Sequence, residues 1–189
     1  MGNRRIGRKR LYGIEKKGRS VDLEAGAGIK DAIVSATQHR QGQELITEIQ
    51  VDLGTSEATI LGGNADGAAM ATSGAAAHLT KLTVAKYGVI TEIRAVLLEV
   101  PAGADTDIDI RTDATAEDQA GAVSTACIAG LTAIGEDTSK LYDTWTTLGQ
   151  NGSSQHYLYI CNGAASSQAA MTAGKVVIYI HGFVVPADK

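Results

Sequence analysis

The chain predicts an all-β fold, a jelly-roll-like β-sandwich that carries an extended basic N-terminal arm. Three observations carry that prediction. Apolar residues recur with a period of two over several short segments, Gly-rich connections separate these segments, and almost nothing shows the 3.6-residue period of a helix. At 189 residues the chain is long enough for one domain with a substantial core, so it needs neither disulfide nor metal to fold. Aromatics make up only 4% of it, so the core rests on Ile, Leu and Val. The expected division is an arm over residues 1–19 and a single β-sandwich body over residues 20–189.

Charge defines the arm. Arg4, Arg5, Arg8, Lys9, Arg10, Lys16, Lys17 and Arg19 face only Glu15, whereas the other 170 residues hold nine basic and twenty acidic groups. The overall charge of −4 therefore hides a basic segment joined to an acidic body. Ile6, Leu11, Tyr12 and Ile14 are spaced among the cations. Apolar anchors between Arg forks suit a groove on a protein surface, where anchors bury area and guanidinium groups pair with carboxylates. Binding to nucleic acid through phosphates and an idle solvated tail remain alternatives.

Beyond the arm, Gly26 and Gly28 interrupt any long helix, and residues 29–37 lean towards strand. Residues 44–53 place Leu45, Thr47, Ile49, Val51 and Leu53 on one face of a half-buried strand. Residues 54–77 are small and polar, with Gly62-Gly63 and Asp66-Gly67 as turn signals. Residues 78–84 alternate again, and residues 89–100 form a long β-branched strand ending at Pro101. A short strand is expected over 107–111, with solvated carboxylates on its polar side. Residues 112–137 are the least legible, with a short helix considered near 126–131. Three further strands are expected over 142–148, 156–161 and 175–184.

Two of these late strands are apolar or aromatic on both sides. Tyr157 and Tyr159 share one face opposite Leu158 and Ile160, and Tyr179 and Phe183 share a face opposite Ile178 and Ile180. A simple sandwich strand shows one polar face to water. Either a loop or the arm covers the outer face, or Tyr157, Tyr159, Tyr179 and Phe183 pack on a neighbouring subunit, where Tyr is enriched.

No catalytic pattern is intact, and no enzyme is expected. Residues 26–31 open like a dinucleotide loop but place Asp31 where a third Gly belongs. Asp105, Asp107 and Asp109 open like a calcium loop, but Ile110 and Ala116 occupy the positions of its turn Gly and bidentate Glu. His39, His78, His156 and His181 show no ligand spacing, and Cys127 and Cys161 read as two buried thiols. No metal or cofactor is expected. No apolar run reaches the roughly 18 residues of a membrane span, and no signal sequence follows the basic start, so synthesis in a cytoplasm is expected.

Four segments carry a resemblance. They are Asn3-Arg-Arg-Ile-Gly-Arg-Lys-Arg-Leu-Tyr12, Ala25-Gly-Ala-Gly-Ile-Lys-Asp-Ala-Ile-Val34, Glu48-Ile-Gln-Val-Asp-Leu-Gly-Thr55 and the closing strand over 175–183. On these the chain resembles virion structural proteins of tailed bacteriophages, in particular small proteins encoded among the head genes of marine phages. The resemblance implies a capsid decoration or cement protein that bridges neighbouring major capsid subunits through its arm. It implies a homo-oligomer, with a trimer favoured, on the capsid surface of a virion made in the host cytoplasm. A tail, neck or fibre-base component is the structural alternative, and a carbohydrate-binding module stacking sugars on Trp145 and the Tyr face is another.

Overall fold

The computed structural model describes residues 18–134, 137–141, 156–165 and 168–184. The arm from Arg4 to Ile14, Trp145 and the strand expected over 142–148 lie outside the described residues. Ten strands form two antiparallel sheets packed face to face. They are β1 (Arg19–Ser20), β2 (Val34–Gln41), β3 (Glu44–Asp52), β4 (Thr80–Leu82), β5 (Val89–Ala102), β6 (Ile108–Asp113), β7 (Thr125–Leu131), β8 (Asp137–Leu141), β9 (His156–Asn162) and β10 (Ala173–Phe183). One short helix, α1 (Val84–Tyr87), lies between β4 and β5.

The larger sheet runs β1-β2-β3-β10-β5-β8 and the smaller β4-β9-β6-β7. The orders β3-β10-β5-β8 and β4-β9-β6-β7 are those of an eight-stranded jelly roll, and β1 and β2 extend its larger sheet at the β3 edge. The predicted all-β sandwich is the observed fold. Alternation builds its core. Ile49 and Val51 of β3, Ile93, Ala95 and Leu97 of β5, and Val176, Ile178 and Ile180 of β10 are buried, as are Ile108 and Ile110 of β6 and Leu158 and Ile160 of β9. The face read from the sequence for residues 45–53 supplies the inner side of β3.

Two local expectations are corrected. Residues 125–131 form strand β7 rather than a helix, because β6 pairs with them from Ile108↔Leu131 to Thr112↔Thr125. Strand β2 starts at Val34, since residues 29–33 form turns closed by Ile29 N→Gly26 O and Ile33 N→Lys30 O, both 2.8 Å. Helix α1 is a local stop. Thr83 caps it, its Oγ1 accepting from Lys86 N at 3.3 Å, and Gly88 ends it at φ +68°.

That turn packs backbone to backbone on the end of β10. A Cβ placed on Gly182 would collide with the Tyr87 carbonyl oxygen, and one on Gly88 with the Phe183 carbonyl. Tyr87 is held there from its other end. Its buried hydroxyl donates to Thr80 Oγ1 at 2.6 Å, which donates to the Leu23 carbonyl at 2.8 Å. Gly74, at φ +65°, has nothing within 4 Å of an added Cβ. Gly182→Ala should therefore destabilise the fold by about 3 kcal/mol or more, and Gly74→Ala by only about 1–2 kcal/mol. Equal urea midpoints for the two variants would refute the close approach of α1 to β10.

Candidate functional site

The outer face of the larger sheet is organised by β10, whose neighbours β3 and β5 place three residues side by side at each level. Asp52, Lys175 and Glu99 form one row; Gln50, Val177 and Val96 the next; then Glu48, Tyr179 and Arg94; then Ile46, His181 and Glu92; and last Glu44, Phe183 and Val89. Charges at the outer rows are paired. Lys175 Nζ lies 2.8 Å from Glu99 Oε2 and 3.7 Å from Asp52 Oδ2, and His181 Nδ1 lies 3.0 Å from Glu44 Oε1. In the middle row the Arg94 guanidinium stacks over Tyr179, 4.9 Å from the ring centroid. Phe183 is 46% exposed, and Leu98 on β5 is 55% exposed. This face holds two of the four predicted interface aromatics in a paired, semi-apolar surface suited to packing on a partner.

The other two lie on the smaller sheet, so the four do not form one surface. Tyr157 is half-buried, with its ring 4.8 Å from that of His78 and the Lys81 amine 5.6 Å above it. Tyr159 is fully buried. Its hydroxyl donates to the Thr115 carbonyl at 2.7 Å and accepts from Glu117 N at 2.8 Å. The reason is the connection between β6 and β7. It pairs with residues 69–77 through Ala77 N→Glu117 O, Gln119 N→Ala75 O and Ala69 N→Gly121 O, at 2.9–3.0 Å. A covering loop, not a neighbouring subunit, therefore accounts for the apolar outer side of β9 at Tyr159.

The expectation of solvated carboxylates over 107–111 fails at Asp109, which is buried, as is Asp105 just before β6. Asp105 Oδ1 accepts from the N–H groups of Thr106 and Asp107 at 2.7 and 3.0 Å. Asp109 Oδ2 takes Arg111 Nε and Nη2 at 2.9 and 2.7 Å, and its Oδ1 takes Gly130 N at 3.0 Å. Arg111 also reaches Asp66 Oδ1 at 2.5 Å, tying the turn at 66–67 to the sheet. A Cβ on Gly67, at φ +74°, would meet the guanidinium, so the turn Gly is what lets the arginine pass.

Cys127 and Cys161 are both free and buried; Cys127 Sγ faces Thr112 Oγ1 at 3.6 Å, and burial pushes the Cys161 thiol well up. Among the described residues no group of three or more His, Cys, Asp or Glu is placed to hold a metal ion. No described helix is long and apolar enough to cross a membrane. A region that sequence reasoning passed over is the acidic, apolar-floored groove between residues 20–25 and 29–36, beside β1. Its acids are scattered through two loops, and only the pairing of β1 with β2 gathers them. Comparison with protein-family models, curated proteins and solved structures gives no match.

Two consequences are measurable. Asp109→Ala strands the Arg111 guanidinium beside Asp66 alone and should destabilise the fold by about 3–5 kcal/mol. A urea midpoint within error of the parent would dismiss the network as a stabilising element. The second concerns pH. Burial lowers the pKa of His78, against a hydrogen bond to the Glu24 backbone, and burial lowers that of His156, against the Asp113 charge. Both imidazoles bind protons less readily folded than unfolded. The stability they contribute is complete above the ordinary value of 6.5 and falls as pH drops through and below it. Stability should thus decline between about pH 7.5 and about pH 5.5, with a smaller slope in a His78→Gln/His156→Gln variant. An unchanged slope in that variant assigns the decline to other groups.

Proposed function

We propose that the chain is a virion structural protein of a tailed bacteriophage, a capsid decoration or cement protein. Its jelly-roll body occupies a site on the capsid surface, and its basic arm bridges neighbouring major capsid subunits. The observation that carries this reading is the way the arm joins the body. Arg19 and Ser20 pair with Gln38 and Thr37 as β1, at the outermost edge of the larger sheet. The arm is thus joined to the body through a paired strand at the sheet edge. The paired face containing Tyr179, Arg94 and Phe183 supplies a second contact surface on the same sheet. The fold itself serves many functions, so the reading rests on this arrangement and on the sequence resemblance. On a shell, weak arm contacts repeated over neighbouring sites add through effective concentration, the more so if the body is a trimer.

Removing residues 1–17 spares Arg19 and Ser20 and so keeps β1. The truncated chain should melt like the parent yet lose at least about tenfold in affinity for purified capsids in co-sedimentation. Undiminished capsid binding would exclude the arm as the clamp, and no capsid binding by the full chain would exclude the decoration reading altogether.

A further inference from the structure

We propose that the groove beside β1 is the receiving site for the N-terminal arm of a second copy of this chain, and that the arm thereby links copies head to tail. The groove encloses about 390 Å³ between residues 20–25 and 29–36. Asp22, Glu24 and Asp31 stand on its exposed rim, and the part-buried Val21, Ala25 and Val34 supply its accessible apolar lining. No Lys or Arg is among the groove's residues. Among the described residues, Lys86 Nζ lies 3.9 Å from Glu24 Oε2, and Lys30 is turned to the Ala27 carbonyl at 2.7 Å. Glu24 sits at φ +52°, and Asp22 Oδ1 accepts its N–H at 2.9 Å, which holds the Asp22 carboxylate against the loop backbone.

The sequence of residues 4–14 is complementary to this surface. Arg4, Arg5, Arg8, Lys9 and Arg10 answer the acidic rim, and Ile6, Leu11 and Ile14 answer the apolar lining. Chain direction selects a second copy over the same one. Strand β1 is antiparallel to β2 with Arg19↔Gln38 and Ser20↔Thr37, so from Ser20 back to Arg19 the backbone runs towards the Gln41 end of β2. The groove lies at the opposite end of β2, around Val34. The chain's own arm must reverse to enter it, whereas an incoming arm need not. With residues 4–14 docked, the stretch from Ile14 to Gly18 spans roughly 14 Å when extended, so the linked copies must be direct neighbours. A contact between two different patches is heterologous and closes into a ring when the rotation between copies allows. The inference goes beyond the decoration reading, since it names a partner for the arm in the absence of any capsid.

The test uses the full chain. In sedimentation velocity it should associate at low salt and dissociate towards monomer near 1 M salt, where the Debye length is about 3 Å. Asp22→Asn/Glu24→Gln/Asp31→Asn, which keeps the acceptor for Glu24 N, should weaken association about tenfold, and so should Ile6→Ser/Leu11→Ser/Ile14→Ser. Zero-length carbodiimide cross-linking of mixed light and ¹⁵N-labelled chains should join Lys9 to Asp31, Asp22 or Glu24 in mixed-isotope peptides. A chain monomeric at every salt, an amide variant that associates as tightly as the parent, or cross-links confined to one isotope each overturns the proposal. Should a variant fail to fold, the parent's salt dependence and isotope mixing still decide it. No capsid enters these readouts. Self-association without capsid binding keeps this inference and removes the decoration reading, and the converse result does the opposite.

Discussion

Everything in this body depends on the pairing of β9 and β10 into the middle of the two sheets. Strand β10 lies between β3 and β5, and β9 lies between β4 and β6. Until residues 156–183 are in place, neither sheet has a centre, and Ile49, Ile93, Ile108 and Ile110 have no continuous layer to pack against. The constraint shapes composition. A central strand gives up both edges to hydrogen bonding and one face to the core, so β9 carries Leu158, Ile160 and two Tyr, and β10 two Val, two Ile and Tyr179. It also makes folding non-local, since the loops that close these pairings span most of the chain.

The second face of each central strand is handled differently. On β9 the connection between β6 and β7 crosses the outer side, and its polar groups are met by Tyr159, Asp113 and Arg111. Asn162, itself buried, returns both its amide groups to the backbone of Gly63. Burying a carboxylate such as Asp109 is costly unless every lone pair has a donor, and here Arg111 and Gly130 provide them. On β10 the outer rows keep Phe183 and part of Tyr179 accessible, with charges neutralised in pairs at both ends. One side of the molecule is thus sealed by its own loops, and the other is left able to meet a partner.

Much of the fold was legible because alternation is a strong signal where one face is buried. Residues 44–53 and 175–184 announced their strands, and the two-sided character of residues 157–161 announced a second contact face, with a covering segment and a neighbouring subunit both open. What covers it was not legible, since residues 114–124 are Ala, Gly, Thr and acids without a period. Strand β7 was obscured by the Ala and Gly within it, Ala126, Ala129 and Gly130, which have no β preference of their own. It is a strand because β6 offers it a ladder. The aspartates of residues 105–109 misled for a related reason. Alternation places Asp109 away from the core, but only the path of a distant loop decides whether that side meets water. The groove acids were invisible in the same way, because Asp22, Glu24 and Asp31 become neighbours through β1 pairing.

The separation of charge between arm and body now has a geometric meaning. A basic segment and an acidic body on one chain attract each other whatever else is present, and the proposed docking in the groove would add apolar contacts to that attraction. Any other partner must therefore win the arm from a site of the chain's own making. By linkage, the free energy of arm docking in the groove is subtracted from the affinity of every competitor for the same residues, unless separate parts of the arm serve the two. That competition holds the arm's cations in check in solution. On a repeating surface it reverses, because neighbouring copies raise the local concentration of both arm and groove together, and the links between bodies strengthen as the array fills. A docking segment placed at the edge of a rigid sheet, with its receiver at the far end of the adjacent strand, is an arrangement that favours joining copies over closing on itself.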